Sequence, residues 1–220
     1  MRACSYVWIG ALAMTLAGCA RFPSGTGPIT TRELSFRIDF NGPINDNYFY
    51  FVPIDTTGGG DGPVPVFPGI TTGEGWLTGA ATHYVQYHLR QYTVFQIVTL
   101  QPFQAQPIGP PLRSTPPTAG GSTLSFTLDL NSISATGESV DVNIIATDQP
   151  FAEVRFLDGL GLQGTDFINL DITTDRTITN ADLGVIELSG DVLDQNRTPQ
   201  PVNEQTSPLD IVNFSITVDV

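Results

Sequence analysis

Apolar and polar residues exchange places at every step along much of this chain, and that period of two constrains its fold more than any other feature. Successive side chains of a strand point to opposite faces, so a two-residue period gathers the apolar groups on one side of a sheet. The C-terminal segment is the cleanest case. Val212, Phe214, Ile216, Val218 and Val220 fall on one face, and Asn213, Ser215, Thr217 and Asp219 on the other. Leu34, Phe36, Ile38 and Phe40 alternate with polar neighbours in the same way, as do Leu124, Phe126, Leu128 and Leu130. Further strands are expected over 47–54, 84–89, 92–100, 140–144, 154–156, 168–172 and 183–192. The stretch 82–100 is short enough to admit a helical turn, but its Val, Tyr, Thr and Phe content favours strand. About ten short, mostly antiparallel strands separated by turn residues predict an all-β fold, a β-sandwich of immunoglobulin-like or jelly-roll-like kind.

Leu-Ser-Phe-Arg-Ile-Asp-Phe-Asn at 34–41 and Leu-Ser-Phe-Thr-Leu-Asp-Leu-Asn at 124–131 agree at five of eight positions. The flanks do not extend the match, which favours convergent strand patterning over duplication. Between them, 101–122 holds Pro102, Pro107, Pro110, Pro111, Pro116 and Pro117. Proline cannot donate to a ladder, so this stretch is excluded from a central strand. It is expected to be a long loop within one sandwich spanning 32–220, rather than a linker between two small domains.

The N-terminus carries a different signal. Arg2 precedes the apolar stretch 6–16, which is too short for a bilayer span of about 20 residues. Leu16-Ala17-Gly18-Cys19 then resembles the lipobox of bacterial lipoproteins. The resemblance implies a signal peptide over 1–18, cleavage before Cys19, and acylation, palmitate included, of the new terminus. Each buried CH₂ contributes about 0.8 kcal/mol, and two or more chains make attachment effectively permanent. Residues 19–31 are rich in Gly, Pro, Ser and Thr and read as a tether. Ala20 rather than Asp after the Cys favours, within that family, the outer membrane of a two-membrane host. The expected address is the bacterial cell envelope.

Composition narrows the function. Loss of 1–18 leaves about 200 residues, enough to bury roughly 70% of the unfolded surface in one domain. Of the two cysteines, Cys4 leaves with the signal and Cys19 carries lipid, so disulfides and thiolate chemistry are excluded. The net charge is −13, and all nine cations are Arg. Such a surface argues against nucleic acid, which needs cations to neutralise phosphates.

Catalytic motifs are weak. Gly159-Leu-Gly161-Leu-Gln-Gly164 spells a dinucleotide pattern, but the following 165–173 alternates like a strand, leaving no helix N-terminus for a pyrophosphate. His83 and His88, five apart, face opposite sides of a strand. No enzyme is expected, no cofactor is required, and a hydrolase using paired carboxylates is a minor alternative. Two acidic loops with glycine, carrying Asp55, Asp61 and Asp182, are candidates for Ca²⁺, which takes several loop oxygens; the competing reading is hairpin turns.

Tyrosines and the mature chain's only tryptophan crowd the first half. Tyr48, Tyr50, Trp76 and Tyr84, joined by His88 and Arg90, would make a stacking platform for sugar rings if they converged outward. The competing reading is core packing. Tyr48-Phe-Tyr-Phe-Val-Pro-Ile-Asp55 with its Gly-rich loop, Ala81-Thr-His-Tyr-Val-Gln-Tyr87 after Trp76, and Val140-Asp-Val-Asn-Ile-Ile-Ala-Thr-Asp148 resemble DOMON-like and carbohydrate-binding sandwich domains. That likeness spans 34–160 and implies a fold, without binding residues. The expected function is a non-catalytic binding module for a glycan or another envelope ligand. The alternative is a structural or assembly lipoprotein acting through protein contacts.

Overall fold

The computed structural model describes residues 31–66, 76–150, 154–161, 165–183 and 187–220. The signal, the lipobox and most of the tether lie outside them, as does the end of the glycine pattern at 162–164.

The chain is all-β, with two sheets packed face to face. The smaller has the order β14 (Arg176–Thr179), β16 (Ile211–Asp219), β1 (Glu33–Phe40), β9 (Thr123–Asp129) and β8 (Arg113–Thr115). The larger runs β15 (Leu193–Asp194), β12 (Phe156–Gly159), β11 (Ile145–Thr147), β2 (Phe49–Asp55), β5 (His83–His88), β6 (Gln91–Leu100) and β7 (Phe103–Gly109). Beside β2, β10 (Ser139–Val142) also pairs with β13 (Ile168–Asp171). A short ribbon of β3 (Val64–Pro65) and β4 (Leu77–Thr78) stands apart, and a single helical turn, α1 (Asn180–Leu183), follows β14. Every pairing is antiparallel.

The alternation read from the sequence becomes the core directly. Leu34, Phe36 and Ile38 of β1 face Leu128, Phe126 and Leu124 of β9, and the two phenylalanine rings stack at 5.0 Å. The two similar octapeptides are thus antiparallel neighbours, filling one face of one sheet. Against them pack Tyr50, Val52 and Ile54 of β2 and Val85 and Tyr87 of β5. Removal of such side chains from water contributes about 1.5–3 kcal/mol each.

The larger sheet is also covered on its other face. Phe51, Trp76, Leu77, Tyr84, Ile145 and Leu157 form a second buried cluster. Trp76 lies flat on Phe51, with centroids 3.8 Å apart and planes 2° from parallel. Burial on both faces explains why β2 and β11 read as near-continuous apolar runs.

Two expectations need correction. The proline-rich stretch 101–122 is not a long loop: it contains β7 and β8, the edge strands of the two sheets. Pro107 is tolerated because an edge strand need not donate on its open side. The strand expected over 183–192 does not form in the described part. Leu183 ends α1, and 187–191 crosses irregularly to β15. The segment after the Gly159 pattern does continue into a strand, β13, so the helix a dinucleotide would need is replaced by sheet.

Candidate functional site

The six residues of the expected aromatic platform are not brought together. Tyr50 is inward, in the core between the sheets, with its hydroxyl accepting from the Asn45 N–H at 3.0 Å. Tyr84 and Trp76 lie on the opposite face of the sheet and are buried in the second cluster, with Phe95 stacked on Tyr84 at 4.7 Å. Tyr48 is half-buried at the rim, and His88 stacks on Phe49 at 3.9 Å. Arg90 alone is exposed, and its guanidinium is paired with Asp46 at 3.2 Å. Strand alternation forces this division: β2 sends Tyr50 inward in the register that puts Tyr84 outward. Burial pushes the Tyr92 phenol up to about 12 and raises those of Tyr50, Tyr84 and Tyr87 further, so all four are neutral hydrogen-bonding groups.

Nor do the three expected calcium aspartates meet. Asp55 is buried and turns back on its own loop, accepting from the Thr57 N–H at 3.1 Å and the Thr57 hydroxyl at 2.6 Å. Asp182 accepts from the N–H and hydroxyl of Thr179 at 2.9 and 2.7 Å. Asp61 is exposed on the rim of a shallow depression lined by Gly60, Gly62, Val64, Gly79, Ala80 and Phe167. The first two follow the hairpin-turn reading, in which a short polar side chain satisfies nearby backbone.

A different acidic group does assemble, at one end of the sandwich. Asp158 of β12 belongs to the larger sheet, Asp210 immediately precedes β16 of the smaller sheet, and Asp191 ends the segment 187–191 between them. One carboxyl oxygen from each lies within 4.8 Å of the others. Asp158 accepts from the Gly159 N–H and, across the sandwich, from the Ile211 N–H, both at 2.8 Å. Asp210 accepts from the Gly190 N–H at 3.0 Å and the Asn41 amide at 2.8 Å. Gly190 adopts φ +88°, a conformation that turns its N–H toward Asp210 and that a side chain would strain. Glu187 reaches the same end of the molecule and accepts from the Gly161 N–H at 2.8 Å.

Three of them, Asp158, Asp191 and Glu187, hold their protons above the ordinary carboxylate range. Burial, and then the charge of Asp191, lifts Asp158 well above the carboxylate range. Burial, with Asp191, Asp166 and Asp210 nearby, pushes Glu187 up to about 8. Burial and Asp210 push Asp191 up to about 6. No arginine offsets them: among the described residues the four ion pairs are Arg37–Asp39, Arg90–Asp46, Arg113–Glu33 and Arg155–Asp148. The sequence carried one usable signal for this group. Asp158 and Asp210 sit in otherwise apolar surroundings, between Leu157 and Gly159 and between Leu209 and Ile211. A charged residue in such a position is buried only with a partner or a reason.

On the outside, large apolar side chains are exposed along 89–112. Leu89 and Val98 are each 62% exposed, Leu112 48% and Ile108 44%. They follow the chain from the β5–β6 turn, along the β6–β7 hairpin, to the crossing into β8.

Comparison with family models, with curated proteins and with solved structures returned no match. Among the described residues no helix is long and apolar enough to cross a membrane.

Proposed function

We propose that this chain is a lipid-anchored β-sandwich of the bacterial cell envelope, held by Cys19, that works by holding a protein partner rather than by catalysis. The observation that carries the reading is the contrast between its two sets of large apolar groups. Tyr50, Trp76 and Tyr84 are consumed by the two cores, whereas Leu89, Val98, Ile108 and Leu112 are left in water on successive elements from the β5–β6 turn to the crossing into β8, as Leu188, Val202 and Val220 are elsewhere. Apolar side chains repeated along an outer hairpin suit a protein contact. The edge strand β7 is a poor template for strand addition, because Pro107 lacks an N–H and the ladder to β6 is bulged twice. The contact on this reading is made by side chains. The lipobox Leu16-Ala17-Gly18-Cys19 supplies the address.

A photo-crosslinking residue at Val98, introduced in the native host, is expected to yield one discrete protein adduct in the envelope fraction. The double variant Val98→Glu/Ile108→Glu should lose the partner in co-purification while keeping its melting temperature. An unchanged complex in the double variant would overturn the reading.

A second reading, a saccharide ligand, is favoured by the depression at Asp61. An exposed carboxylate, open glycine backbone and the ring of Phe167 line it, a combination suited to sugar hydroxyls and an apolar sugar face. Asp61→Asn would then abolish binding on a glycan array and leave the Val98 adduct intact.

A further inference from the structure

We propose that Arg155 and Asp194, at the β12–β15 edge of the larger sheet, form a cleft for a small zwitterion, an α-amino acid whose carboxylate meets Arg155 and whose ammonium meets Asp194. This goes beyond the proposed partner-binding role and does not depend on it, since β15 and β7 lie at opposite edges of that sheet.

Arg155, Phe156, Asp194, Gln195, Asn196 and Gln200 line a cleft of about 250 Å³. Pockets for drug-sized ligands begin at roughly 300 Å³, so this one suits a smaller molecule. The sheet assembles it. Phe156 of β12 and Asp194 of β15 are direct partners across the ladder and project from the same face. The Arg155 guanidinium lies over the Phe156 ring, 5.8 Å from its centroid.

Both charged groups are held from behind. Asp148 is buried and accepts from the N–H groups of Arg155 and Phe156 at 3.0 and 3.1 Å and from Nε of Arg155 at 2.9 Å. That carboxylate orients the guanidinium through Nε. It leaves Nη1 and Nη2, the pair that grips a carboxylate with two parallel bonds, without a hydrogen-bond partner among the described residues. Asp194 is half-buried and anchored through Oδ1, which accepts from the N–H groups of Asn196 and Thr198 at 2.8 and 2.9 Å. Its Oδ2 receives no hydrogen bond from a described residue. Gln195 and Gln200 brace the wall, donating to the carbonyls of Val154 and Thr198 at 2.6 and 2.9 Å.

The carrying observation is that these opposite charges share one cleft and do not pair. Arg155 is paired with Asp148, and Asp194 joins none of the four ion pairs among the described residues. Each is restrained by its own network, so the cleft keeps a positive and a negative pole apart. A lone anion gains at Arg155 and is repelled by Asp194; a lone cation meets the reverse. Only a ligand with both charges satisfies both poles, and rejection of single charges is the source of specificity.

The test titrates the purified full chain by calorimetry with each of the common L-α-amino acids, and with acetate and ethylammonium as single-charge controls. At least one amino acid is expected to bind, one per chain, with a dissociation constant of about 1 mM or below, and both controls about tenfold or more weaker. Arg155→Lys keeps the charge but loses the planar fork, and should weaken amino-acid binding about tenfold. Asp194→Asn keeps the Oδ1 acceptor that holds the loop. It should reduce amino-acid affinity to that of acetate, a change of selectivity that a purely structural role would not produce. The double variant Val98→Glu/Ile108→Glu should bind amino acids as the parent does, which separates this site from the partner-binding flank. Absence of saturable binding by every amino acid would overturn the proposal. So would acetate binding as tightly as the best amino acid, or affinity undiminished in both single variants.

Discussion

His83 opens β5, is buried, and keeps Nδ1 3.0 Å from the Thr82 hydroxyl. Burial lowers its pKa below the ordinary value near 6.5. At this residue the unfolded chain therefore binds a proton at a pH where the folded chain does not, and its own contribution to stability rises with pH across that window. Its contribution is complete above about pH 6.5 and is lost as the pH falls through the lower, folded value. Asp158, Asp191 and Glu187, which hold protons in the folded state, act in the opposite sense over this range, so the His83 part is read by comparison: between about pH 5.5 and pH 7.5 the urea midpoint of the parent chain should change more in the favourable direction than that of His83→Gln. A difference that survives the substitution unchanged would assign it to other groups. The same physics explains what could not be read ahead of the structure. The phase of a strand assigned Tyr50 and Tyr84 to faces of their own strands. Only the pairing of β2 with β5, and the segment that carries Trp76 over the sheet, determined that neither face was open. The aspartates of the end cluster are 19–52 residues apart in the chain, too far for local spacing to unite them. Their apolar neighbours were the one trace they left.

The turn between β5 and β6 shows how an element can depend on a side chain far from it. Leu89 and Arg90 form a two-residue hairpin connection in which both have positive φ, 49° and 64°. This geometry suits the twist of paired strands and usually takes Asn-Gly. Left-handed backbone costs an ordinary residue about 1–2 kcal/mol, and here Asp46 offsets the cost. Its carbonyl accepts from the Leu89 N–H at 2.7 Å, and its carboxylate accepts from the Tyr87 hydroxyl at 2.5 Å and from Arg90 at 3.2 Å. Replacing Leu89 by Asn should stabilise the protein by about 0.5–1 kcal/mol, because Asn tolerates this conformation and no buried contact is lost. Chemical denaturation would show it as a higher midpoint with an unchanged slope. If Leu89 is part of the partner-binding flank, the same variant should bind its partner less well, so stability and binding would move in opposite directions. Strand positions were legible because alternation in β1, β9 and β16 reports a face directly. The edge strands β7 and β8 were not, since proline interrupts a strand paired on both sides but is tolerated in one with an open edge, and the sequence does not say which strand lies at an edge.

For the molecule as a whole, the folded body and the proposed anchor are separable. β1 begins at Glu33, and Arg32 is already part of the body, donating to the carbonyls of Ala135 and Ile172 at 3.1 and 3.0 Å. Between Cys19 and Arg32 the chain can span at most about 43–47 Å, at 3.3–3.6 Å per residue. The sandwich would therefore be confined close to the lipid surface, and its net negative charge would discourage it from lying flat on anionic headgroups. A partner on this arrangement meets the 89–112 flank within a thin layer above the membrane. Cys19→Ser should release the protein from the pelleted membrane fraction; among the described residues no helix is long and apolar enough to cross a bilayer. Because Cys19 precedes every residue of both cores, the variant's melting temperature should match that of the anchored chain. Crosslinking from Val98, in contrast, should fall sharply even though every side chain of that flank is intact, because tethering sets the effective concentration at which the two surfaces meet. Retention of Cys19→Ser in the membrane fraction would require an attachment other than lipid at that residue. Full crosslinking by a released variant would mean that the flank binds its partner tightly enough to need no tether.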